Sequence, residues 1–288
     1  MKLLVNLQEL LRQAKNTLTS YHIADAHLEA ELLLMHTLGI GRTELYIRLE
    51  QTITSSEAAN FWHLVQQRLS YEPTAYILKQ CQFYGIDLYI DSRALIPRPE
   101  SELLVEEALE FTSRRFPSGV PCLIADVGTG SGAIAIALAL HLPQAEIYAI
   151  DISESALEVA GINCQKHKVT KQVHLLLGNI LQPLPKSVDI ILANLPYVRD
   201  SELSQMSPEI QLFEPKVALS GGTDGLEKIH QFLPQAKQKL LPGGLILLEI
   251  GQGQGETVAA LVRSYFPTAK LDLIPDLGGI GRVVRITT

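Results

Sequence analysis

The stretch Leu123 to Asp151, LIADVGTGSGAIAIALALHLPQAEIYAID, constrains the fold more than any other part of the chain. A short apolar run, Leu123 to Val127, meets a turn in which Gly128, Gly130 and Gly132 alternate with Thr129 and Ser131. Ala133 to Leu142, rich in Ala, Leu and Ile, follows and is closed by Pro143. A second apolar run, Glu146 to Ile150, ends on Asp151. Two strand-length runs around a helix-length one predict a strand, a loop, a helix and a strand.

The glycines have a physical role. Without Cβ atoms the turn can adopt positive φ and let a ligand approach the backbone. The loop N–H groups and the helix N-terminus then offer donors to an anionic or carboxylate-bearing ligand. Asp151, about 20 residues beyond the loop, sits where an acidic side chain accepts both hydroxyls of a ribose. The pattern predicts a nucleoside cofactor without saying which. Gly128, Gly130 and Ala133 also satisfy G-x-G-x-x-G/A, so an NAD enzyme stays open on this stretch alone, as does a glycine-rich turn with no chemistry.

Bulk properties narrow the classes. With 288 residues and 47% hydrophobic content the chain can build one large domain or two. A net charge of −7 gives no support to binding by bulk phosphate neutralisation, so no direct nucleic-acid binding is expected. Cys81, Cys122 and Cys164 are widely spaced, and no His-x-x-x-His pair occurs. Neither a disulfide framework nor a metal site is expected, and a reducing cytoplasm fits. The N-terminus turns polar too soon for a signal peptide, and no apolar run approaches the ~18 residues of a membrane span. The reading is a soluble, cytoplasmic protein with no membrane partner.

Three regions follow from the patterning. Residues 1–72 read as a helical domain: Leu3, Leu7, Leu10, Leu11, Ala14 and Leu18 recur at helical spacing, as do Ala26, Ala30, Leu33, Leu34 and Leu38 before Gly39. Ser55-Ser56-Glu57 opens a third run with Phe61, Leu64, Val65 and Leu69 on one face. This part suits substrate recognition or a lid, and equally a stabilising extension. Residues 73–100 read as a β-hairpin over Gln82 to Asp91, its turn near Gly85-Ile86-Asp87, joined to Ile96-Pro97-Arg98-Pro99-Glu100, where two prolines hold Arg98 extended.

Residues 101–288 continue the alternation. A helix is expected over Ser101 to Phe111, with Leu103, Leu104, Ala108 and Phe111 inward, and another over Ser155 to Lys166. Strands are expected at Val173 to Leu177 and Val188 to Ala193, then a helix from Leu226 to Leu241 stopped by Pro242-Gly243-Gly244. A strand, Leu245 to Ile250, and a helix, Gly255 to Tyr265, precede two final strands near Leu271 to Ile274 and Arg282 to Thr287. The last two are joined by a short Gly-rich loop and must be antiparallel, whereas strands joined by helices are parallel. The fold class is therefore α/β: a Rossmann-like sheet of the S-adenosylmethionine-dependent methyltransferase layout with a terminal antiparallel hairpin, preceded by a small α-helical domain. A domain of two mononucleotide folds for NAD would keep alternating.

The strand Val188 to Ala193 runs into Asn194-Leu195-Pro196-Tyr197. Ligands in open α/β sheets bind outside the carboxyl ends of the strands, which puts this tetrapeptide beside the glycine loop. An amide nitrogen is a poor nucleophile because its lone pair is delocalised. The Asn194 side-chain oxygen and the Leu195 carbonyl can each accept an N–H and aim the nitrogen at a methyl donor. Pro196 fixes the direction of the Leu195 carbonyl, and Tyr197 offers a ring for a planar amide or base. No strong general base is required.

With these residues in view the chain resembles the HemK/PrmC family, the N5-glutamine methyltransferases of class I peptide chain release factors. The resemblance rests on IPRPE (Ile96 to Glu100), DVGTGSGAIAIALA (Asp126 to Ala139), AIDIS (Ala149 to Ser153), NLPYV (Asn194 to Val198), EPKVALSGG-x-DGL (Glu214 to Leu226) and LLEIGQGQG (Leu247 to Gly255). It runs in order from about Pro73 to the C-terminus, and the helical preface has the family's size. The resemblance implies S-adenosylmethionine as cofactor, with Gly128, Thr129, Gly130, Ser131 and Gly132 against its methionine part. It also implies Asp151 on the ribose, Asn179 and Ile180 flanking the adenine, and Asn194 beside the methyl donor. Asn194, Leu195, Pro196 and Tyr197 would clasp the glutamine of the release factor's Gly-Gly-Gln loop, and the helical domain would contact the rest of that partner.

The chain departs from the family pattern in four places, one being Ile180 where some members have an aromatic residue. Leu195 replaces a proline, which should loosen the turn, Asn179 stands where Asp is usual, and the tail before Arg282 lacks an Asp often found there. The same chemistry on a ribosomal-protein glutamine or a nucleic-acid amino group, a non-catalytic binder on the same fold, and an NAD oxidoreductase are the alternatives.

Overall fold

The structure is a computed structural model that describes residues 6–116 and 120–288. The chain forms two compact units, Met1–Lys79 with Ser207–Phe213, and Gln80–Met206 with Glu214–Thr288.

The first unit holds α1 (Leu7–Ser20), α2 (Ala26–Leu38), α3 (Arg42–Ile47), α4 (Ser55–Leu69) and α5 (Thr74–Leu78). Leu7, Leu10, Leu11, Ala14 and Leu18 bury one stripe of α1 against Ala30, Leu33 and Leu34 of α2 and Phe61 and Val65 of α4. Leu3 lies outside the described residues. Helix α4 starts on a capping box in which Thr54 and Glu57 satisfy each other's backbone N–H groups. The six-residue α3 and five-residue α5 are too short to show a period and went unread in the sequence. Arg68, buried on α4, pairs with Glu29 at 3.3 Å and with Glu209, while the Thr74 hydroxyl donates to Glu29.

The second unit opens on an antiparallel hairpin of β1 (Cys81–Phe83) and β2 (Ile86–Leu88). Its two-residue turn is Tyr84-Gly85, with φ of 48° and 72°. The turn thus lies one residue earlier than the sequence suggests, and Ile86 and Asp87 belong to the strand. Positive φ at both central residues matches the twist of a two-residue hairpin. A 3-10 turn over Pro99–Ser101 leads into α6 (Glu102–Arg115). Its fully buried face is Leu104, Val105, Ala108 and Thr112, with Leu103 and Phe111 only half-buried.

Then come β3 (Leu123–Val127), α7 (Ala133–His141), β4 (Glu146–Asp151), α8 (Glu154–Lys166), β5 (Val173–Leu177) and β6 (Val188–Ala193). Two short helices, α9 (Asp200–Leu203) and α10 (Pro208–Phe213), precede α11 (Glu227–Lys239), β7 (Leu240–Glu249), α12 (Gly255–Tyr265), β8 (Lys270–Pro275) and β9 (Gly281–Thr287). The seven strands lie in the order β5-β4-β3-β6-β7-β9-β8, the first five parallel and β9 antiparallel to both neighbours. The expected parallel sheet with a terminal antiparallel hairpin is what forms.

Pro242-Gly243-Gly244 does not separate helix from strand as expected. It lies within β7, where Val188 pairs with Leu240 but Ile190 with Leu245, so the extra residues bulge from the ladder.

The sheet is covered on both faces, which explains its continuous apolar strands. Ala133 to Ala139 of α7 are buried with α6 and α8 side chains on one face, and Phe232, Leu233, Val258 and Val262 of α11 and α12 fill the other. No helix among the described residues is long and apolar enough to cross a membrane.

Candidate active site

The strand order reverses at β3, which has β4 on one side and β6 on the other. The crevice outside the carboxyl ends of β3 and β6 is the topological switch point of the sheet. Val127 is in register with Ala193, so the glycine loop and Asn194 leave the sheet side by side. A Cβ on Gly128 would stand 2.9 Å from the Asn194 carbonyl oxygen, and Gly128 has φ of 74°. Only glycine lets the loop and the tetrapeptide approach this closely.

The cleft formed there is open to solvent, with about 1080 Å³ of space not filled by protein atoms. Gly128, Thr129, Gly130, Ser131, Asp151, Asn179, Ile180, Asn194, Leu195 and Pro196 line it, together with Ser101. Gly132 and Tyr197 do not. Gly132 sits behind the loop, where a Cβ would meet Ile136 and Ala160 at 3.1 and 3.2 Å. Tyr197 is half-buried, its hydroxyl 3.4 Å from Glu249 Oε1, and burial pushes the phenol up to about 12.

The loop is held from below. Thr129 Oγ1 donates to Asp126 Oδ2 at 2.6 Å, and Asp126 Oδ1 is buried without a hydrogen bond. Burial pushes the Asp126 carboxyl up to about 6, against the opposing Thr129 bond. Asp151 Oδ2 accepts the Gly130 N–H at 2.8 Å and Oδ1 accepts the Ser153 N–H at 2.9 Å. Burial raises its pKa while these backbone donors lower it. Ile180 is buried at a φ of 57°, unusual for a β-branched side chain, and its place in the core holds the turn after β5 in that conformation.

The second motif is held from behind. Asn194 Nδ2 donates to Ser101 Oγ at 2.9 Å, and Ser101 Oγ donates to Glu249 Oε2 at 2.6 Å. Val198 forms a parallel bridge with Ser220, and a Cβ on Gly221 would lie 2.7 Å from the Pro196 oxygen. Gln254 Nε2 donates to the Tyr197 oxygen at 3.1 Å. Leu195 is buried in the core, so apolar packing anchors the turn that its replacement of proline was expected to loosen.

Ser101, Gly221, Glu249 and Gln254 lie in or beside motifs visible in the sequence, but nothing local marked them as site residues. No group of three or more His, Cys, Asp or Glu side chains among the described residues could hold a metal ion.

The site fits S-adenosylmethionine on three observations: a glycine turn that a Cβ would fill, a half-buried carboxylate at the end of β4, and an amide-bearing tetrapeptide on the neighbouring strand. Comparison with known proteins agrees. Residues 9–78 match the model of the PrmC N-terminal domain and residues 121–250 match that of a methyltransferase domain. A release factor glutamine methyltransferase of Moorella thermoacetica is 37% identical over 96% of this chain and 97% of that one. Another, of Thermodesulfovibrio yellowstonii, is 38% identical over 89% and 90%. A solved methyltransferase structure from Pyrococcus furiosus shares the fold, with a TM-score of 0.51 at 19% identity over 77% of this chain and 96% of that one. With its fold, its cleft and its near full-length likeness to these relatives all in accord, the chain belongs to the release factor glutamine methyltransferase family.

Proposed function

We propose that this chain methylates the side-chain amide nitrogen of the glutamine in the Gly-Gly-Gln loop of class I peptide chain release factors, in support of translation termination. What supports the reading best is the close approach of Gly128 to the Asn194 carbonyl, since the glycine turn and the tetrapeptide then line one cleft.

When bound, S-adenosylmethionine supplies an electrophilic methyl group on a sulfonium. The protein's part is binding and aim. Gly128 to Ser131 and Asp151 hold the methionine and ribose portions, with Asn179 and Ile180 beside the adenine, while Gly132 behind the loop lets it pack on α8. Asn194 Oδ1 and the Leu195 carbonyl accept the two N–H groups of the glutamine amide and orient its lone pair, while Pro196 fixes the Leu195 carbonyl and Tyr197 supports the motif. No base is needed within the cleft, because the nitrogen's proton would pass to water once the amide is methylated, and Asn194 serves as an orienting acceptor.

The helical unit is assigned to recognition of the release factor away from its glutamine. The cytoplasm is assigned as the compartment, where three unpaired cysteines persist as thiols.

The test is transfer of labelled methyl from S-adenosylmethionine to purified release factor, beside the same factor with its Gly-Gly-Gln glutamine changed to alanine and an unmethylated DNA duplex. Label on the intact factor alone is the expected result. Label on DNA, or on a ribosomal protein with the factor left unlabelled, overturns the reading.

A further inference from the structure

We propose that Ser101 and Glu249 are positioning residues that turn the Asn194 carboxamide so that Oδ1, and never Nδ2, meets the substrate nitrogen. The inference rests on the function proposed above and deepens it. A carboxamide can flip about its last bond with almost no change in shape, exchanging an acceptor for a donor. Flipped, Asn194 would present an N–H to the N–H of the substrate, and the orienting bond would be lost.

The relay removes that freedom. Glu249 is buried at the end of β7, with Oε2 2.6 Å from Ser101 Oγ and Oε1 3.4 Å from the Tyr197 hydroxyl. Burial raises the Glu249 pKa while the hydroxyls of Ser101 and Tyr197, facing one oxygen each, lower it, and the ionised carboxylate that they favour can only accept. Ser101 has one proton and gives it to Glu249. Its oxygen can then only accept from the third member, and Asn194 Nδ2 lies 2.9 Å away. Reversing the amide would oblige Ser101 to turn its proton to Asn194 and leave the buried Glu249 oxygen without its donor, a costly state. The orientation is thus fixed by a residue 148 positions from Ser101 in the chain.

The test uses the full chain, purified release factor and labelled S-adenosylmethionine, with cofactor affinity measured separately by calorimetry. Ser101→Ala and Glu249→Leu, which takes away the acceptor at similar volume, should each lower kcat on the order of ten- to a hundredfold, the cost of a misaimed group, with cofactor affinity unchanged. The double variant should be no worse than the poorer single one. Ser101→Thr, which keeps the hydroxyl, should recover most of the rate.

The deciding comparison is made in an Asn194→Asp background. A carboxylate presents an acceptor whichever way it turns, so Ser101→Ala should cost nothing further there. Full activity of Ser101→Ala, or the same fractional loss in both backgrounds, overturns the relay and leaves Ser101 a packing residue. If the unaltered chain modifies a different amide or amino acceptor, the release-factor reading falls, and the same variants on that acceptor decide the relay. An unaltered chain that binds cofactor but transfers to no acceptor overturns both.

Discussion

Gly128 and Asn194 meet backbone to backbone, a Cβ on the first falling 2.9 Å from the carbonyl oxygen of the second. The turn assigned to the cofactor and the motif assigned to the acceptor amide are therefore set against each other by main-chain atoms. Their spacing is a property of the sheet, through the register of β3 and β6, rather than of any flexible side chain.

Gly128→Ala should accordingly fail on two counts. It places a Cβ at φ of 74°, which costs roughly 1–2 kcal/mol, and forces the Asn194 carbonyl to move. We expect a fall in stability of about 2 kcal/mol on denaturant unfolding and at least a tenfold loss of S-adenosylmethionine affinity by calorimetry.

Asp151, proposed as the ribose ligand, bears on affinity as well as on the loop that it braces. Its carboxylate already accepts two backbone N–H groups and has lone pairs left for ribose hydroxyls. Two bonds to a charged acceptor are worth about 3 kcal/mol together, so Asp151→Ala should weaken cofactor binding about a hundredfold. Burial lifts its pKa above the usual carboxylate value of 3.8, and a protonated Asp151 loses acceptor capacity. Affinity should therefore fall as the solution is acidified through that raised pKa, in the unaltered chain but not in Asp151→Ala. A flat profile in both would count against Asp151 as the ribose ligand.

Asp126 should act in the opposite sense on stability. Its folded pKa of about 6 exceeds the unfolded value of 3.8 because burial disfavours the charge. Between those values the folded state binds more protons than the unfolded one, so Asp126 contributes a stability that rises as pH falls from 6 to 4. The charged form costs about 3 kcal/mol at pH 8. Asp126→Asn, which can still accept from Thr129, should be more stable than the unaltered chain at pH 8 and no more stable at pH 4, as read by urea midpoints at both.

How much of this was visible in the sequence depended on whether the cause was local. Strands β3 to β6 were legible nearly to the residue, because helices on both faces of the sheet favour short, mostly apolar runs. The place of Asn194 followed from the rule that carboxyl ends of strands carry the ligands. Ser101 and Glu249 were not legible as site residues, since their meaning lies in a contact between positions far apart in the chain. The bulge at Pro242-Gly243-Gly244 was missed because Pro and Gly signal a break as readily as a bulge. The hairpin turn moved because Tyr84, with no sequence mark of a left-handed residue, takes positive φ.

The helix α10 has a consequence for how this protein can be taken apart. It lies between α9 and α11 in sequence, yet it belongs to the helical unit, where Glu209 pairs with the buried Arg68. That unit is not a detachable prefix. Cutting after Lys79 would strip Glu209 and α10 of their partner, so the loss would not report on recognition alone. A chimaera that borrows the first 79 residues from a relative must also borrow residues 207–213, and modularity here is counted in strands of connectivity rather than in a boundary drawn at one position.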